Sequence, residues 1–272
     1  MDLHVDSALV NELLELAIDT ALSAGALLVP RPDSFDINEK SSARDFATQM
    51  DHASEKLIVD ALLKARPGDG IIGEEGSSRP SQSGVTWVID PIDGTVNYFY
   101  DLPGWNISIA AKIERVGDEG DSDPLDQVVV GVVNAPTINA LWHATAGGGA
   151  YRNGKQIHCT TARSLDESLI ATGFSYDPEE RVRQGAFVGE LIPKVRDIRR
   201  NGAAAVDLCM VASGSIDGYF ETGLKEWDLA AGGLIAREAG ALVTGRNGGF
   251  AGEAMVIAAG PALHSLLAAE IG

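Results

Sequence analysis

The sequence has few basic residues and almost no cysteine. Its 272 residues include 21 Lys and Arg against 39 Asp and Glu, which gives a formal net charge of −18. Because so acidic a surface repels nucleic-acid backbones and anionic lipids, we expect neither nucleic acid nor a membrane as a main partner. Cys159 and Cys209 show no CxxC spacing, so we predict neither a disulfide framework nor a thiolate metal site, which fits a reducing cytoplasm.

Motifs of several other enzyme classes are absent as well. The sequence has no GxxxxGK[ST] phosphate-binding loop and no GxSxG nucleophile motif, and its five histidines form no HExxH pair. The glycine-rich AGGGAYRNG lacks dinucleotide-binding spacing and predicts a hairpin turning at Asn153-Gly154. The N-terminal segment has no basic start, and acids interrupt its apolar residues at helical spacing. We therefore expect an amphipathic helix there, and neither a signal peptide nor a membrane span.

Hydrophobic periodicity predicts a mixed α/β chain with two structural halves. We expect helices up to Pro30 and from Asp51 to Lys64, and we interpret the polar stretch between them, residues 31–47, as a mobile loop. Five strand-like runs between residues 71 and 145 predict a sheet with antiparallel character, and strands alternate with helices from about residue 165. No linker separates the halves, so we predict one domain of residues 1–272, with an N-terminal half to about 160 and a C-terminal half from about 161.

Two charged segments have ordinary explanations. Residues 114–126 are acidic but lack the glycine and glutamate that a calcium-binding loop requires, so we interpret them as a solvated hairpin loop. Residues 196–200 form a small basic cluster. We interpret it as a source of surface salt bridges, while contact with an anion or a partner subunit stays open.

The run WVIDPIDGT ends a hydrophobic strand on two acids, Asp90 and Asp93. Magnesium prefers oxygen ligands from a few carboxylates, and Pro91 stiffens the backbone so that the carbonyl of Ile92 could also face an ion. Gly94 allows an unusual backbone conformation, after which the amides at Gly94 and Thr95 could open a helix and bind phosphate.

A DxxDG pattern alone is more often a turn that follows a capped strand. Two further acids favour a metal site: Glu74 follows another apolar strand, in IIGEEG, and Asp228 begins a helix, in EWDLAAGG. Asp51 is ambiguous, since Thr48 and Asp51 have the spacing of a helix capping box.

Together these segments resemble a known family. GEE, WVIDPIDGTVNY, LPGWNISIA and EWDLAAGG, in this order, are similar to the inositol monophosphatase family of magnesium-dependent, lithium-sensitive phosphatases. The resemblance covers nearly the whole chain. It implies a layered αβαβα sandwich with the active site between two halves, a cytoplasmic homodimer, two to three Mg²⁺ ions per site and a small phosphorylated polyol as substrate.

The resemblance also implies roles for individual residues. The first magnesium ion would be held by Glu74, Asp90 and the Ile92 carbonyl, the second by Asp90, Asp93 and Asp228, and a third, weaker ion also by Glu74. The expected catalytic residues are Glu74, Thr95 and Asp51, which would position the attacking water. Lys40 lies in a segment that covers the site in relatives. The expected substrate-binding residues are Asp93, Gly94, Thr95, Ala204, Glu221 and Asp228.

The implied reaction is hydrolysis of a small phosphate monoester by a magnesium-activated water. Glu221 favours myo-inositol 1-phosphate as the ester. Histidinol phosphate, fructose 1,6-bisphosphate and 3′-phosphonucleotides remain alternatives, since Val96 and Ala203 depart from residues common in relatives and border the expected site. A non-enzymatic alternative is an acidic regulatory binding protein that keeps the fold.

Overall fold

A computed structural model describes residues 6–114 and 122–272. Among these residues the helices fall close to their predicted positions. None of them combines the length and the apolar character that a membrane crossing requires. The helices are α1 (Ser7–Leu28), α2 (Gln49–Ala65), α3 (Thr95–Phe99), α4 (Pro178–Leu191), α5 (Ala204–Ala212), α6 (Glu226–Glu238) and α7 (Pro261–Ile271).

The first ten strands form a hairpin and a large sheet. The large sheet has the order β10-β9-β8-β7-β6-β5-β3-β4, and every neighbouring pair is antiparallel except β3 and β5. All nine residues of β5 are buried, as its continuous apolar run predicts. The strands are β1 (Ile37–Ser42), β2 (Asp45–Thr48), β3 (Gly70–Gly73), β4 (Ser78–Arg79), β5 (Val85–Asp93), β6 (Asn106–Ile113), β7 (Val128–Ala135), β8 (Ala140–Thr145), β9 (Gly149–Arg152) and β10 (Lys155–Ile157).

The second sheet has five strands in the order β12-β11-β13-β15-β14. Its strand β11 runs parallel to both β12 and β13, while β15 is antiparallel to β13 and β14. Every strand of this sheet follows residue 168, and every strand of the large sheet precedes residue 158. Its strands are β11 (Leu169–Thr172), β12 (Asp197–Arg199), β13 (Gly218–Glu221), β14 (Leu242–Thr244) and β15 (Val256–Ala259).

Helices and sheets alternate in layers. Helices α1 and α2 pack on one face of the large sheet, α5 and α6 contact both sheets, and α7 packs on the outer face of the second sheet. Eight of the nine residues of α5 are buried, because a helix between two sheets needs apolar side chains nearly all round. The αβαβα sandwich predicted from the resemblance is thereby confirmed.

The interpretation of residues 31–47 as a mobile loop is wrong. Most of this segment forms an antiparallel hairpin of β1 and β2, with Ile37 opposite Thr48. Five of the six residues of β1 are exposed, so the strand buries no apolar face and shows no alternating pattern. Its position instead depends on tertiary contacts made by Lys40.

The structure describes the two charged segments in part, and the basic cluster contains one surface salt bridge of the expected kind, between Arg199 and Asp197. Of the acidic loop 114–126, residues 115–121 lie outside the described part of the chain. Asp123 and Asp126 beside that gap both pair with Arg237 of α6, so this end of the loop is tied to the fold. The basic cluster contains the short edge strand β12, and its last residue, Arg200, lines the cavity described next.

Candidate active site between the two sheets

A cavity of about 310 Å³ opens where the end of β5 meets α3, α5 and α6. It brings together acids that are far apart in the sequence and that come from both sheets. Among the described residues its wall contains every residue expected in the site except Asp51. These predicted residues are Glu74, Asp90, Ile92, Asp93, Gly94, Thr95, Ala204, Glu221 and Asp228, and Lys40 also lines the wall.

An irregularity at the end of β5 brings Asp90 and Asp93 into the cavity together. The register with β6 shifts between these two residues, where Pro91 offers no N–H to the ladder. The backbone N–H of Ile92 donates to Oδ1 of Asp90 at 3.0 Å, and the Ser54 hydroxyl donates to the Pro91 carbonyl at 3.0 Å. Both carboxylates are buried. The bulge therefore explains why a buried strand can end on two acids facing one space.

Asp93 connects the large sheet to helix α5. Its Oδ2 accepts hydrogen bonds from Asn106 Nδ2 and from the backbone N–H of Ala205, both at 2.8 Å, and its Oδ1 accepts from Ala204 N–H at 3.2 Å. Burial raises the pKa of Asp93, and these three donors oppose the rise. The amide of Ala204, expected to meet a substrate hydroxyl, thus points at Asp93.

Glu74 directly follows β3 and has one occupied and one unpartnered oxygen. Its Oε1 lies 3.0 Å from Lys40 Nζ, which also reaches Oε1 of Glu75 at 2.6 Å. Its Oε2 is buried and has no hydrogen-bond partner in residues 6–114 and 122–272. Burial raises the pKa of Glu74 to about 7. A buried carboxylate oxygen without a donor is costly unless a cation reaches it.

Asp90 and Asp228 complete the group of acids. Burial raises the pKa of Asp90 well above its usual value, and the charges of Glu74, Asp93 and Asp228 raise it further. Asp228 occupies the first turn of α6, where its Oδ2 accepts the N–H of Lys225 at 2.6 Å. Burial, followed by the charge of Asp93, raises its pKa as well. Four carboxylates thus repel one another in a single space, and divalent cations would relieve that repulsion.

The carboxylates of the cavity do not form a ready-made metal-binding site among the described residues. In the part of the chain that the structure describes, no three His, Cys, Asp or Glu side chains form a ready metal-binding group. The hydrogen bonds show why: the ammonium of Lys40 occupies Glu74, while the carboxylates of Asp93 and Asp228 accept backbone amides. The donor chemistry still fits a hard cation, since the bare Oε2 of Glu74 and three further carboxylates face one cavity.

Asp51 lies behind the cavity wall and contacts Thr95. Gly94 has φ +87°, a left-handed conformation that lets β5 turn directly into α3, and Thr95 is the first residue of that helix. The Thr95 hydroxyl lies 3.0 Å from Oδ1 of Asp51 and 3.2 Å from the Ile92 carbonyl. Oδ2 of Asp51 accepts both the N–H and the hydroxyl of Thr48. Asp51 is therefore a capping-box residue and also the support of Thr95.

Glu221 ends β13 at the opposite wall. The hydroxyl of the fully buried Tyr219 donates to its Oε2 at 2.6 Å. Burial raises the pKa of Glu221 to about 7. One oxygen of this carboxyl group is therefore committed to Tyr219, and the other is available to a ligand.

Sequence reasoning missed several residues of the cavity wall. Arg200 belongs to the cluster that was interpreted as a source of surface salt bridges, with contact to an anion left open, and it lines the cavity beside Tyr176 and Phe174. Burial raises the pKa of Tyr176 to about 12, so its phenol stays protonated near neutral pH. The only sequence signal for Arg200 is its place two residues before the GAAAVD segment that forms α5.

Known proteins resemble this chain over most of its length. Residues 9–272 match the model of the inositol monophosphatase family. An inositol-1-monophosphatase of Mycobacterium leprae (strain TN) is 40% identical over 242 residues, which cover 86% of this chain and 81% of that protein. The Nus factor SuhB of Escherichia coli (strain K12) is 39% identical over 245 residues, 88% and 87% of the two chains. The crystal structure of extragenic suppressor protein suhB from Bartonella henselae has a TM-score of 0.86 at 31% identity, and the match covers 96% of this chain and 98% of that one. The chain therefore belongs to the inositol monophosphatase family.

Proposed function

We propose that this phosphatase hydrolyses myo-inositol 1-phosphate to inositol and phosphate in a magnesium-dependent reaction. The observation that carries the proposal is the convergence of Glu74, Asp90, Asp93 and Asp228 on one cavity that also contains Thr95. An acidic cavity repels a phosphate ester unless cations reverse its sign. Metal ions bound by these carboxylates would do so.

The proposed magnesium ligands are those that the resemblance implies. Glu74, Asp90 and the Ile92 carbonyl would hold the first ion, and Asp90, Asp93 and Asp228 the second. A third ion would share Glu74, whose Oε2 has no hydrogen-bond partner among the described residues. When bound, magnesium supplies charge neutralisation at the phosphoryl oxygens and activation of water.

Protein groups would orient the phosphate and the attacking water. Thr95 begins α3 directly after Gly94, so the first amides of this turn can face a phosphate. The Thr95 hydroxyl, which donates to Asp51 Oδ1 at 3.0 Å, would accept a hydrogen bond from the water through its oxygen. Glu74 would orient the water from the other side.

The opposite wall would bind the leaving group. Glu221 offers one free carboxyl oxygen to a sugar hydroxyl, since the other accepts the Tyr219 hydroxyl. Asp93 and Asp228 would contribute to the same hydroxyls. The amide of Ala204 would assist only indirectly, because it donates to Asp93. Acceptors for hydroxyl groups favour a polyol ester.

Three further features belong to this proposal. Residues 1–272 would act as one domain whose active site lies between its halves, the protein would be a homodimer, and it would work in the cytoplasm. These expectations agree with the family resemblance and with the scarcity of cysteine.

A second candidate function has one specific observation in its favour. A relative that is 39% identical carries the name Nus factor, which is not the name of a phosphatase. A regulatory binding role that uses the same fold would not require the carboxylates of the cavity.

Phosphate release from myo-inositol 1-phosphate tests the proposal. It would be measured with millimolar magnesium, with chelator and with added lithium, beside histidinol phosphate, fructose 1,6-bisphosphate and a 3′-phosphonucleotide. We expect fastest turnover of the inositol ester, only with magnesium, and inhibition by lithium. Faster turnover of another ester would overturn the substrate assignment, and absence of turnover on all four esters would favour the regulatory role.

A further inference from the structure

Three cationic side chains line the candidate active site, and two of them are engaged with acids. Lys40 Nζ lies 3.0 Å from Glu74, and Lys225 pairs with Glu253. The third, Arg200, makes no ion pair and no hydrogen bond with any residue in ranges 6–114 and 122–272. It is the one cation of the cavity that can bind an anion without first giving up a partner.

The Arg200 guanidinium lies against Gly202, which also lines the cavity. A Cβ at Gly202 would stand 2.2 Å from Nη1 of Arg200, so the side chain lies directly over a glycine that cannot be replaced without displacing it. Gly202 has φ +85°, and Asn97 Nδ2 donates to the neighbouring Asn201 carbonyl at 2.8 Å. This loop is therefore fixed against α3.

The charge of Arg200 acts on the side of the cavity where the leaving group is expected. Burial raises the pKa values of Asp93, Glu221 and Asp207, and the guanidinium opposes the rise at all three. Asp93 and Glu221 are the residues proposed to meet substrate hydroxyls. The guanidinium would thus lie beside a bound leaving group, where those carboxylates would otherwise repel any second anion.

We infer that Arg200 binds a second phosphate group carried by the leaving group of the substrate. The site would then accept bisphosphorylated polyols or sugars as well as inositol 1-phosphate, and Arg200 would set the ratio between them. A guanidinium suits this role because its planar fork donates two parallel hydrogen bonds to phosphate oxygens. The inference rests on the proposed function, since it assigns a substrate class to the same site.

The test compares Arg200→Gln and Arg200→Lys with the wild-type protein in millimolar magnesium. The value of kcat/KM is measured for myo-inositol 1-phosphate, myo-inositol 1,4-bisphosphate and fructose 1,6-bisphosphate. Arg199→Gln is the matched control, because Arg199 is the adjacent residue, pairs with Asp197 at 2.5 Å and does not line the cavity.

We expect Arg200→Gln to lose roughly tenfold or more in kcat/KM for the bisphosphates, the usual size of a lost charge-assisted hydrogen bond. The value for inositol 1-phosphate should stay nearly unchanged. Arg200→Lys should retain part of the kcat/KM for the bisphosphates, since lysine keeps the positive charge but lacks the planar guanidinium. Arg199→Gln should retain the wild-type kcat/KM for all three esters.

Two results would overturn the inference. An equal loss for all three esters would mean that Arg200 only offsets the nearby acids, and no loss for the bisphosphates would mean that it binds no second phosphate. If the wild-type protein hydrolyses none of the esters, the proposed function fails separately. Calorimetry would then measure the binding of fructose 1,6-bisphosphate and of fructose 6-phosphate to the wild-type protein and to Arg200→Gln. If the variant binds only the bisphosphate more weakly, the inference is supported. If it binds both ligands as the wild-type protein does, the inference is overturned.

Discussion

At the scale of single residues, the carboxyl group of Glu221 is held by two neighbours. Tyr219 donates to Oε2 from two positions earlier on the same strand, at 2.6 Å. A Cβ at Gly173 would stand 1.9 Å from that same Oε2 and 2.1 Å from Oε1, so only glycine leaves room for the carboxyl group in this position. Both neighbours limit the orientations of Glu221 before any ligand arrives, which lowers the entropy cost of binding.

Replacing Tyr219 with Phe should raise KM for inositol 1-phosphate by roughly 3- to 10-fold with little change in kcat, as expected for one lost hydrogen bond in the binding of the leaving group. Steady-state kinetics of Tyr219→Phe, Glu221→Ala and the double variant measure this. Glu221→Ala should itself raise mainly KM, and Tyr219→Phe should add little in that background. If Tyr219→Phe raises KM as much in the Glu221→Ala background as in the wild-type protein, Tyr219 does not act through Glu221.

Asp207 gives a prediction for stability against pH. It is 1% exposed and accepts Asn201 Nδ2 at 2.5 Å, and burial raises its pKa well above the usual 3.8. The folded protein therefore binds this proton more tightly than the unfolded chain, and stability from this residue falls as pH rises above about 4. The thermal midpoint of Asp207→Asn relative to wild type should increase between pH 5 and pH 8, whereas the exposed control Asp197→Asn should show no such gain. A difference that does not change with pH would contradict the assignment.

At the scale of elements, the strand that carries the acids was predictable, and the hairpin over the site was not. The apolar run of β5 and the acids after it are local signals, and the alternation of strand-like and helical segments from about residue 165 predicts α5 and α6. The β1–β2 hairpin lacks such a signal, because β1 is polar and nearly all exposed. Its position depends on the contacts of Lys40 with Glu74 and Glu75, which are remote in sequence. The position of Arg200 in the cavity wall was not predictable for the same reason, since its packing over Gly202 depends on the tertiary structure.

The junction of β5 and α3 should be sensitive to Gly94→Ala. This residue has φ +87°, and a Cβ would lie 3.2 Å from both the Ala203 side chain and the Gly202 carbonyl. We expect a loss of more than about 1–2 kcal/mol in unfolding free energy, because contact strain adds to the left-handed conformation. Gly154→Ala is the control, since Gly154 has φ +74° with open space around it. Urea unfolding should show a clearly smaller loss for the control, and equal losses would mean that the close approach at Gly94 costs nothing.

At the scale of the whole molecule, the fold places repelling acids in one space by burying apolar surface elsewhere. The large sheet packs against α1 and α2, while α5 and α6 fill the space between the sheets, so none of these cores includes the four carboxylates. Asp93 then joins the halves through Asn106 of β6 and the first amides of α5. Repulsion among these carboxylates therefore lowers the stability of the folded protein, and binding of cations would relieve it. The layers and the acids were predictable from the sequence, but the hydrogen-bond partners of Glu74 and Asp93 were not, because these come from distant parts of the chain.

The magnesium dependence of phosphate release by Asp228→Asn tests the central claim most directly. The account predicts that activity on inositol 1-phosphate falls by more than roughly 100-fold, since even residues that only support metal ligands often cost about 10- to 100-fold. The variant should remain folded in chelator, with a thermal midpoint at or above that of wild type, because one repelling carboxylate is gone. Glu226→Gln is the control, an acid two residues earlier that pairs with Lys112 outside the cavity. Full magnesium-dependent turnover by Asp228→Asn, or wild-type turnover undiminished by chelator, would contradict the account.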